Sequence, residues 1–320
     1  MSRLIDILLF VKHFSNCFFS KADTLISMII PLWAVFGLIT AIFSAAMMLM
    51  QEHYKVNGYA LAFWIKVACV LVSLPFVFLN GVPDNPLFYF YLALSAVLYA
   101  ISDVYFFSAI PKSSAGSVSR LVPSAGVIGF LLWFIIDPDL FFTYMEAPLV
   151  SGLIFVTLCL FAFFAFKLKK CKVTMQTLRD IWFVIFAATV GPLLTKMVTF
   201  YADMEQARYA YVCFQAMMMM TMWLIYLYIR RPVPFSTFFA RATWQYGLLI
   251  GFVAAAMILA KFTSYYYVDN PAYIPAMVAL DAVIILFFYK MRGIKAQGDV
   301  LSGLGIVACA AALIIFKAQI

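Results

Sequence analysis

Charged residues are scarce in this chain of 320 residues. Only 11% of the residues are charged, whereas 66% are hydrophobic. Soluble domains average about 25% charged and about 45–50% apolar residues, and no globular interior could enclose so much apolar surface. The deficit excludes a soluble protein and predicts one whose solvent is lipid. Because the apolar runs are long and continuous rather than short and alternating, they indicate membrane-spanning helices and not a β-barrel.

Metal ligands and nucleotide-binding motifs are also missing. The two histidines are His13 and His53, and the six cysteines form no CxxC pair. A histidine-based metal site is therefore not expected, and buried packing is the favoured role of the cysteines. No GxxxxGK[ST] segment is present to hold ATP phosphates, so we expect no cofactor. The net charge of +8 comes from loops between apolar runs, which is typical of membrane orientation and not of nucleic-acid binding.

Ten stretches are long and apolar enough to cross a bilayer, which requires roughly 20 residues. They lie at about 29–50, 58–80, 87–110, 116–136, 147–167, 181–203, 208–229, 243–267, 271–290 and 299–317. Turn signals and charged loops separate them. We expect an all-α membrane protein with a first five-helix unit at 29–167, a basic linker at 168–180 and a second five-helix unit at 181–320.

The segment that precedes the first span, residues 1–28, has a pattern of its own. Apolar side chains recur at helical spacing with polar ones opposite, namely Leu4, Ile7, Leu8, Val11, Phe14 and Phe18 against Asp6, His13, Asn16 and Ser20. The pattern predicts an amphipathic helix over 3–21 that lies at the membrane interface. A soft, partly disordered tail is the alternative. A cleaved signal peptide is not favoured, because Asp6 and Lys12 interrupt the apolar stretch.

Lysine and arginine are distributed unequally between the two sets of loops. One set holds fourteen of these residues and the other holds six, while four acidic residues fall on the second side: Asp84, Asp137, Asp139 and Glu146. By the positive-inside rule the linker at 168–180 is cytoplasmic and both termini are outside. We therefore expect a multi-pass protein of the plasma (inner) membrane with its basic loops in the cytoplasm.

Two similar patches lie half a chain apart, each at the start of a long apolar run. Ser151-Gly152-Leu153 aligns with Ser302-Gly303-Leu304. The preceding hairpins align at an offset six residues longer, which places an insertion in the loop between the fourth and fifth spans. An insertion in a loop is what a duplication predicts, and two units of five spans must be inverted in the membrane. Chance similarity between Leu/Val/Ala-rich segments is the alternative.

A longer pattern accompanies the patches. Residues 99–123 run from a small and aromatic helix through a short turn to a Ser/Ala-rich helix with a proline, and 256–280 is the matching segment. Together with Ser151-Gly152 and Ser302-Gly303, this pattern resembles the drug/metabolite transporter (DMT) superfamily, specifically its EamA-type members, over about 29–317. The resemblance implies ten helices in two inverted repeats around a central cavity.

Two features depart from that family. The acidic residue common after the ninth helix is replaced by basic residues, Lys290, Arg292 and Lys295. Members usually have cytoplasmic termini, whereas the distribution of lysine and arginine places these termini outside. The resemblance therefore specifies the fold far better than the substrate or the orientation.

Five ionisable residues fall within spans, where a charge is costly and usually functional: Lys66, Asp103, Lys196, Lys261 and Asp281. The repeat alignment places Asp103 opposite Ala260, next to Lys261, so this acid and base are expected to face each other across the cavity that the resemblance implies. We expect Lys66, Lys196 and Lys261 to hold an anionic group and Asp103 and Asp281 to couple protons, because burial favours the neutral form of an isolated group. An inert structural ion pair is the alternative.

Tyrosines accompany these charges. Tyr99 and Tyr105 flank Asp103, and Tyr265 begins a run of three tyrosines after Lys261. A tyrosine can stack on a ring and still offer a hydroxyl, so Tyr99, Tyr105 and Tyr265 are candidate substrate-binding residues. For the run of three, an interfacial aromatic belt is the alternative.

These features predict a secondary active transporter of a small polar, anionic metabolite or drug-like solute, and not an enzyme. A flippase for lipid-linked sugars or lipids on the same fold is one alternative. A polytopic enzyme acting on lipids is another, but it needs clustered acids or histidines at a loop boundary, and in the near pair Asp137 and Asp139 the intervening Pro138 indicates a turn. The expected partners are a small-molecule substrate, membrane lipids and a coupled proton. A homodimer would use the small-residue stripe of Gly298, Ser302, Gly305 and Cys309, which suits internal packing equally well.

Overall fold

A computed structural model describes residues 31–113, 122–168, 175–230, 233–293 and 299–320, and this part of the chain is almost entirely helical. The predicted amphipathic segment at 1–28 lies outside the described residues. The helices are α1 Leu32–Tyr54, α2 Gly58–Asn80, α3 Pro86–Ser113, α4 Val122–Ile136, α5 Pro138–Glu146, α6 Pro148–Lys167, α7 Met175–Thr199, α8 Met204–Arg230, α9 Phe235–Phe238, α10 Arg241–Tyr267, α11 Tyr273–Val278, α12 Leu280–Met291 and α13 Val300–Lys317.

The length and composition of these helices identify an integral, multi-pass membrane protein. Within the described ranges, 9 segments are long and apolar enough to cross a bilayer, and the number rises to 10 if the bent pair α4–α5 forms one span. The prediction of an all-α membrane protein is therefore confirmed. Most predicted span borders agree with the observed helices to within four residues, because lipid imposes a minimum apolar length that the sequence displays directly. Helix α7 begins six residues before the predicted start at 181, and the starts predicted at 29 and 116 lie outside the described residues.

The segment after Asp137 departs from the prediction of a loop. It forms α5, which meets the preceding helix at 108°. Asp137 accepts a hydrogen bond from the amide of Leu140 (3.1 Å), and Pro138 occupies the first helical turn. An aspartate cap followed by proline is a helix start as well as a turn signal, so the Asp-Pro pair ends one helix and begins the next. Tyr144 of α5 is buried and its hydroxyl bonds that of Tyr273.

The ninth span, predicted as continuous, is interrupted at its centre. Helix α11 ends at Val278 and α12 begins at Leu280, with Ala279 between them. The amide of Ala279 bonds the carbonyl of Pro275 (3.1 Å), whereas the amide of Ala282 reaches back only three residues, to Ala279 (3.2 Å). Such local tightening within a span shifts the direction of the following turn. The break at Ala279 lies two residues before Asp281.

The helices pack in five main pairs. Helix α1 packs against α10, α3 against α7, α2 against both α8 and α10, and α6 against α13. Gly251 permits the close approach of α10 to α2, because a Cβ atom at this position would lie 2.6 Å from that of Ala68. Without a hydrophobic driving force between helices in lipid, such small residues allow the close contacts that hold the bundle together.

The predicted small-residue stripe is used inside the chain. A Cβ atom at Gly305 would lie 2.7 Å from the ring of Phe164 in α6, so this face of α13 is already in close contact. Ser302 lies at the start of the same helix and donates a hydrogen bond to Asp299 (2.6 Å). That bond holds the pKa of Asp299 below its usual value. Gly298 lies outside the described residues.

Candidate functional site

The helices enclose a cavity of about 190 Å³. It is bounded by parts of α1, α2, α3, α7, α8, α10 and the broken span α11–α12. Most of its wall is apolar, and six predicted site residues line it: Lys66, Tyr99, Asp103, Lys261, Tyr265 and Asp281. Four ionisable side chains from four different helices therefore converge on one partly open cavity within the spans.

Asp103 forms its ion pair with Lys66. The ammonium nitrogen of Lys66 lies 2.9 Å from Oδ2 of Asp103, and the two side chains are 6% and 19% exposed. The expected pairing of Asp103 with Lys261 is thus not the one observed. The cause is helix packing, because α3 lies against α2 and brings Lys66 closer than the residue that the repeat alignment selects. Each charge compensates the other in a place where an isolated charge would cost several kcal/mol.

Lys261 is left as a cation without a partner in contact. Its ammonium nitrogen lies 6.0 Å from the ring centroids of both Tyr99 and Tyr265, and it makes no hydrogen bond or ion pair with any residue that the structure describes. The charges of Asp103, Lys66 and Asp281 act on it electrostatically. Two tyrosine faces give a cation modest stabilisation, so Lys261 retains capacity to bind an anion.

Asp281 has no cation in contact among the residues that the structure describes. It lies midway along the span Tyr273–Met291, where its side chain is buried. Its Oδ2 accepts a hydrogen bond from the hydroxyl of Ser44 in α1 (2.8 Å). Its Oδ1 is sealed from solvent and receives no hydrogen bond from the described residues; the nearby amide of Ala282 is bonded to Ala279. A buried carboxyl oxygen without a donor is well suited to carry a proton.

Lys196 lies outside the lining of the cavity, contrary to its expected role there. Its ammonium group donates to the carbonyls of Tyr265 (3.1 Å) and Tyr266 (3.4 Å) at the end of α10. The last four carbonyls of a helix lack partners within it and carry partial negative charge. The ammonium group of Lys196 in α7 therefore caps the C-terminus of α10 and stabilises the contact between the two helices. From the sequence alone, this structural role cannot be distinguished from ligand binding.

The contact predicts a stability effect at Lys196. We expect Lys196→Met to lower the free energy of unfolding by about 1.5–3 kcal/mol, the range for hydrogen bonds to a charged group. The measurement is thermal unfolding of the purified protein in detergent. Lys290→Met is the matched control, because Lys290 is exposed and surface substitutions usually change stability by less than about 0.5 kcal/mol. Equal melting temperatures for the two variants would contradict the capping role.

Tyr105 is also outside the cavity. Its side chain is 50% exposed on the outer surface, and its ring centroid lies 6.3 Å from that of Phe183. It lies two positions after Asp103, and two positions turn a side chain by roughly 200° around the helix, since one turn takes 3.6 residues. Tyr99, four residues before Asp103, lies on the same face and lines the cavity. Tyr99 and Tyr105 are close in sequence, but they lie on different faces of α3, so that only Tyr99 lines the cavity.

An uncharged polar network forms another part of the cavity wall. Gln215 donates to the hydroxyls of Tyr211 (2.7 Å) and Ser95 (2.9 Å), and the hydroxyls of Tyr211 and Thr195 are 3.1 Å apart. These bonds join α3, α7 and α8. Sequence reasoning missed them because it considered only ionisable groups. The signal was present, since Tyr211 and Gln215 are four residues apart on one face of an apolar helix.

The position of Tyr99 depends on a glycine in the neighbouring helix. A Cβ atom at Gly191 would lie 2.2 Å from the hydroxyl oxygen of Tyr99 and 2.5 Å from its ring carbon Cζ. The absence of a side chain at Gly191 therefore allows the ring to occupy the space between α3 and α7. Gly191 touches the ring on one side, and the ammonium of Lys261 lies on the cavity side at 6.0 Å from the ring centroid.

This close approach predicts the effect of Gly191→Ala. The added methyl group must displace the ring of Tyr99, and overpacking of this kind costs about 1–3 kcal/mol. We expect a lower melting temperature in detergent, together with weaker substrate binding, because the displaced ring moves into the cavity. Tyr99→Leu in the same chain should restore most of the stability by removing the clash. If the double variant melts no higher than Gly191→Ala alone, the contact is not the cause.

Comparisons with known proteins extend the description of the fold. No protein-family model matches the chain, and no curated protein does. A solved structure described only as the crystal structure of a protein matches 90% of this chain and 98% of its own length, with a TM-score of 0.61 and 10% sequence identity. At this identity the likeness shows a shared fold and carries no information about activity.

Proposed function

We propose that this protein is a secondary active transporter that carries a small organic anion across the membrane by alternating access. The anion would bind in the cavity between the two five-helix units. The observation that carries the proposal is Lys261, a cation without a contacting partner among the described residues, on the wall of a partly open cavity within the spans. Ionisable residues at membrane depth mark substrate and ion pathways. A chain that needed this cavity only for packing would gain nothing from a charge there that no contacting acid pairs.

The packing of helices supports the inverted repeat on which this proposal rests. If the first five spans correspond in order to the last five, α1 corresponds to α7 and α3 to α10. The pair α1–α10 then becomes the pair α7–α3, and both pairs are extensive contacts in the structure. The pairs α2–α8 and α6–α13 map onto themselves. This internal consistency supports two related five-helix units, and transporters with such repeats bind substrate where the units meet.

The same considerations support membership of the drug/metabolite transporter superfamily, with EamA-type repeats. The helix count and the pairing of helices agree with that proposal, and its sequence basis is the pattern at 99–123 and 256–280. The excess of lysine and arginine in one set of loops supports a cytoplasmic position for the 168–180 linker in a plasma (inner) membrane.

The orientation has a direct test. We expect a reporter fused to the C-terminus to remain dark if its chromophore matures only in the cytoplasm, because the charge bias places both termini outside. The same reporter inserted in the basic linker should fluoresce. Fluorescence from the C-terminal fusion would reverse the orientation and leave the proposed transport activity standing.

Transport itself is tested in proteoliposomes. The purified full-length chain is reconstituted, loaded with one member of a panel of organic anions, and supplied with the same labelled anion outside. We expect transient accumulation of label, because a carrier exchanges its substrate faster than it dissipates the gradient. Conversion of the anion or of the lipid into a product would identify an enzyme instead. Failure to exchange any panel member would reject the transporter.

A further inference from the structure

The cavity combines an accessible cation with a sealed acid. We propose that Lys261 and Asp281 together form a site for one anion and one proton, so that the protein moves an organic monoanion with one proton and without net charge. The inference rests on the proposed transport function and names its substrate class and its coupling. The observations behind it are the pairing and the accessibility of the four charged side chains in the cavity. The net charge of the site with and without a bound anion then determines the coupling.

Two of the four charges already neutralise each other. Lys66 and Asp103 form an ion pair at 2.9 Å, so neither has a free charge to offer a substrate. Lys261 has no such contact with a described residue, and it lines the cavity where a solute can reach it. The anion therefore binds at Lys261, between the rings of Tyr99 and Tyr265.

Asp281 is placed for a proton and not for the ammonium group of a zwitterionic substrate. Its Oδ2 is occupied by the hydroxyl of Ser44 at 2.8 Å. Its Oδ1 is buried from solvent and receives no donor from the described part of the chain. An atom that water cannot touch cannot accept the larger ammonium group of a substrate, whereas a proton needs only a transient path. This distinction selects a monoanion plus a proton over an amino acid.

The surroundings of Asp281 identify Lys261 as the charge that faces it. Helix α10 contributes Lys261, whereas α1 contributes the uncharged Ser44. The paired Lys66 and Asp103 stand further along the cavity lining. Helix α11, the first half of the broken span that contains Asp281, carries Tyr273, whose hydroxyl is hydrogen-bonded to that of Tyr144. Helix α13, packed beside α12, carries the buried thiol of Cys309, with Asp299 and Lys317 at its ends.

The sum of charges couples the two events. With Lys261 charged and Asp281 ionised, the empty site is neutral. An anion added to this site would leave one uncompensated negative charge within the membrane, which is strongly unfavourable. Protonation of Asp281 first makes the site carry one positive charge, and the anion then neutralises it. Both the empty and the filled site are thus neutral, and each transport cycle moves one proton and one anion together.

The lining also indicates the body of the substrate. The wall around the charges is formed largely by Met47, Met48, Ile65, Val184, Ile258 and Phe262. Such a wall binds an apolar group and excludes a strongly hydrated one. With the two tyrosine rings beside Lys261, the site fits a small aromatic or aliphatic group that carries a single negative charge. Benzenesulfonate is a suitable probe, because it stays ionised at every pH of the experiment and does not cross lipid as a neutral acid.

The experiment measures benzenesulfonate binding to the full-length protein over a pH series. We expect affinity to increase about tenfold for each unit by which pH falls across the range where Asp281 titrates, since one bound proton is linked to one bound anion. Asp281→Asn should bind at alkaline pH as tightly as the parent does at acidic pH, without a slope. Asp139→Asn, which alters an exposed carboxyl outside the cavity, is the matched control and should retain the slope.

A second measurement on the parent protein guards against a variant that fails to fold. Calorimetric titration in two buffers of different ionisation enthalpy should show uptake of about one proton per bound anion at the middle of the slope. In proteoliposomes, a pH gradient should drive benzenesulfonate uptake, and a potassium diffusion potential alone should not. Binding without proton uptake, uptake driven by voltage alone, or an unchanged slope in Asp281→Asn would each overturn the coupling while transport stands. No flux of any organic anion rejects the transporter itself.

Discussion

Lys261→Met is expected to reduce the affinity for an organic anion by about thirtyfold to several thousandfold and to abolish concentrative uptake. The truncation of one partner in a buried, hydrogen-bonded charge pair costs about 2–5 kcal/mol, and every 1.4 kcal/mol is tenfold. The ammonium group of Lys261 is the cation that no contacting acid of the described chain neutralises, so no neighbour can replace it. The measurement is benzenesulfonate affinity at acidic pH, followed by flux in proteoliposomes.

The matched control is the same substitution at another buried lysine. Lys196 binds backbone carbonyls at the end of α10, so Lys196→Met should cost stability and retain anion affinity. Lys261→Arg keeps the positive charge and should recover part of the affinity, although the planar group fits the two tyrosine rings differently. Equal losses of affinity in Lys261→Met and Lys196→Met would indicate general damage. Full retention in Lys261→Met would remove the lysine from the site.

The spans were predictable because one physical rule dominates them. A helix in lipid must present a long apolar run, and that run is visible in the sequence without knowledge of any contact. The bend after Asp137 was not predictable in the same way. An Asp-Pro pair serves both a turn and a helix start, and the decision in favour of α5 depends on the burial of Tyr144 against Tyr273, which is a contact between distant parts of the chain.

The site was only partly predictable for a related reason. The cost of a charge in lipid correctly drew attention to Lys66, Asp103, Lys261 and Asp281, which line the cavity. Which acid meets which base depends on distances between helices, and the repeat alignment gave the wrong partner for Asp103. The exclusion of Tyr105 needed only helical phase. The uncharged bonds of Gln215 needed a search for polar side chains in apolar helices.

A double-variant series at Lys66 and Asp103 should show a stability effect as large as any in this protein. Lys66→Met leaves the carboxylate of Asp103 buried without its partner, and breaking a buried pair in this way costs about 3–5 kcal/mol. Asp103→Leu should cost a similar amount by stranding the ammonium group. The double variant replaces both charges by apolar groups, and such replacements are often neutral or stabilising by about 1–4 kcal/mol. The melting temperatures of the parent, the two single variants and the double variant are measured by thermal unfolding in detergent.

The ion pair between Lys317 and Asp269 provides the control for this series. It is as short as the first, at 2.8 Å, and Lys317 is 13% exposed, but Asp269 is 57% exposed. Water therefore screens this pair and brings its contribution towards the value for exposed pairs, about 0–1 kcal/mol. Lys317→Met should therefore shift the melting temperature far less than Lys66→Met. If the destabilisation of the double variant at Lys66 and Asp103 equals the sum of the two single destabilisations, the two residues are not coupled. If the double variant instead recovers the stability of the parent and still binds benzenesulfonate in a pH-dependent manner, Lys66 and Asp103 stabilise the fold. The other two charged residues of the cavity, Lys261 and Asp281, then suffice for anion and proton binding.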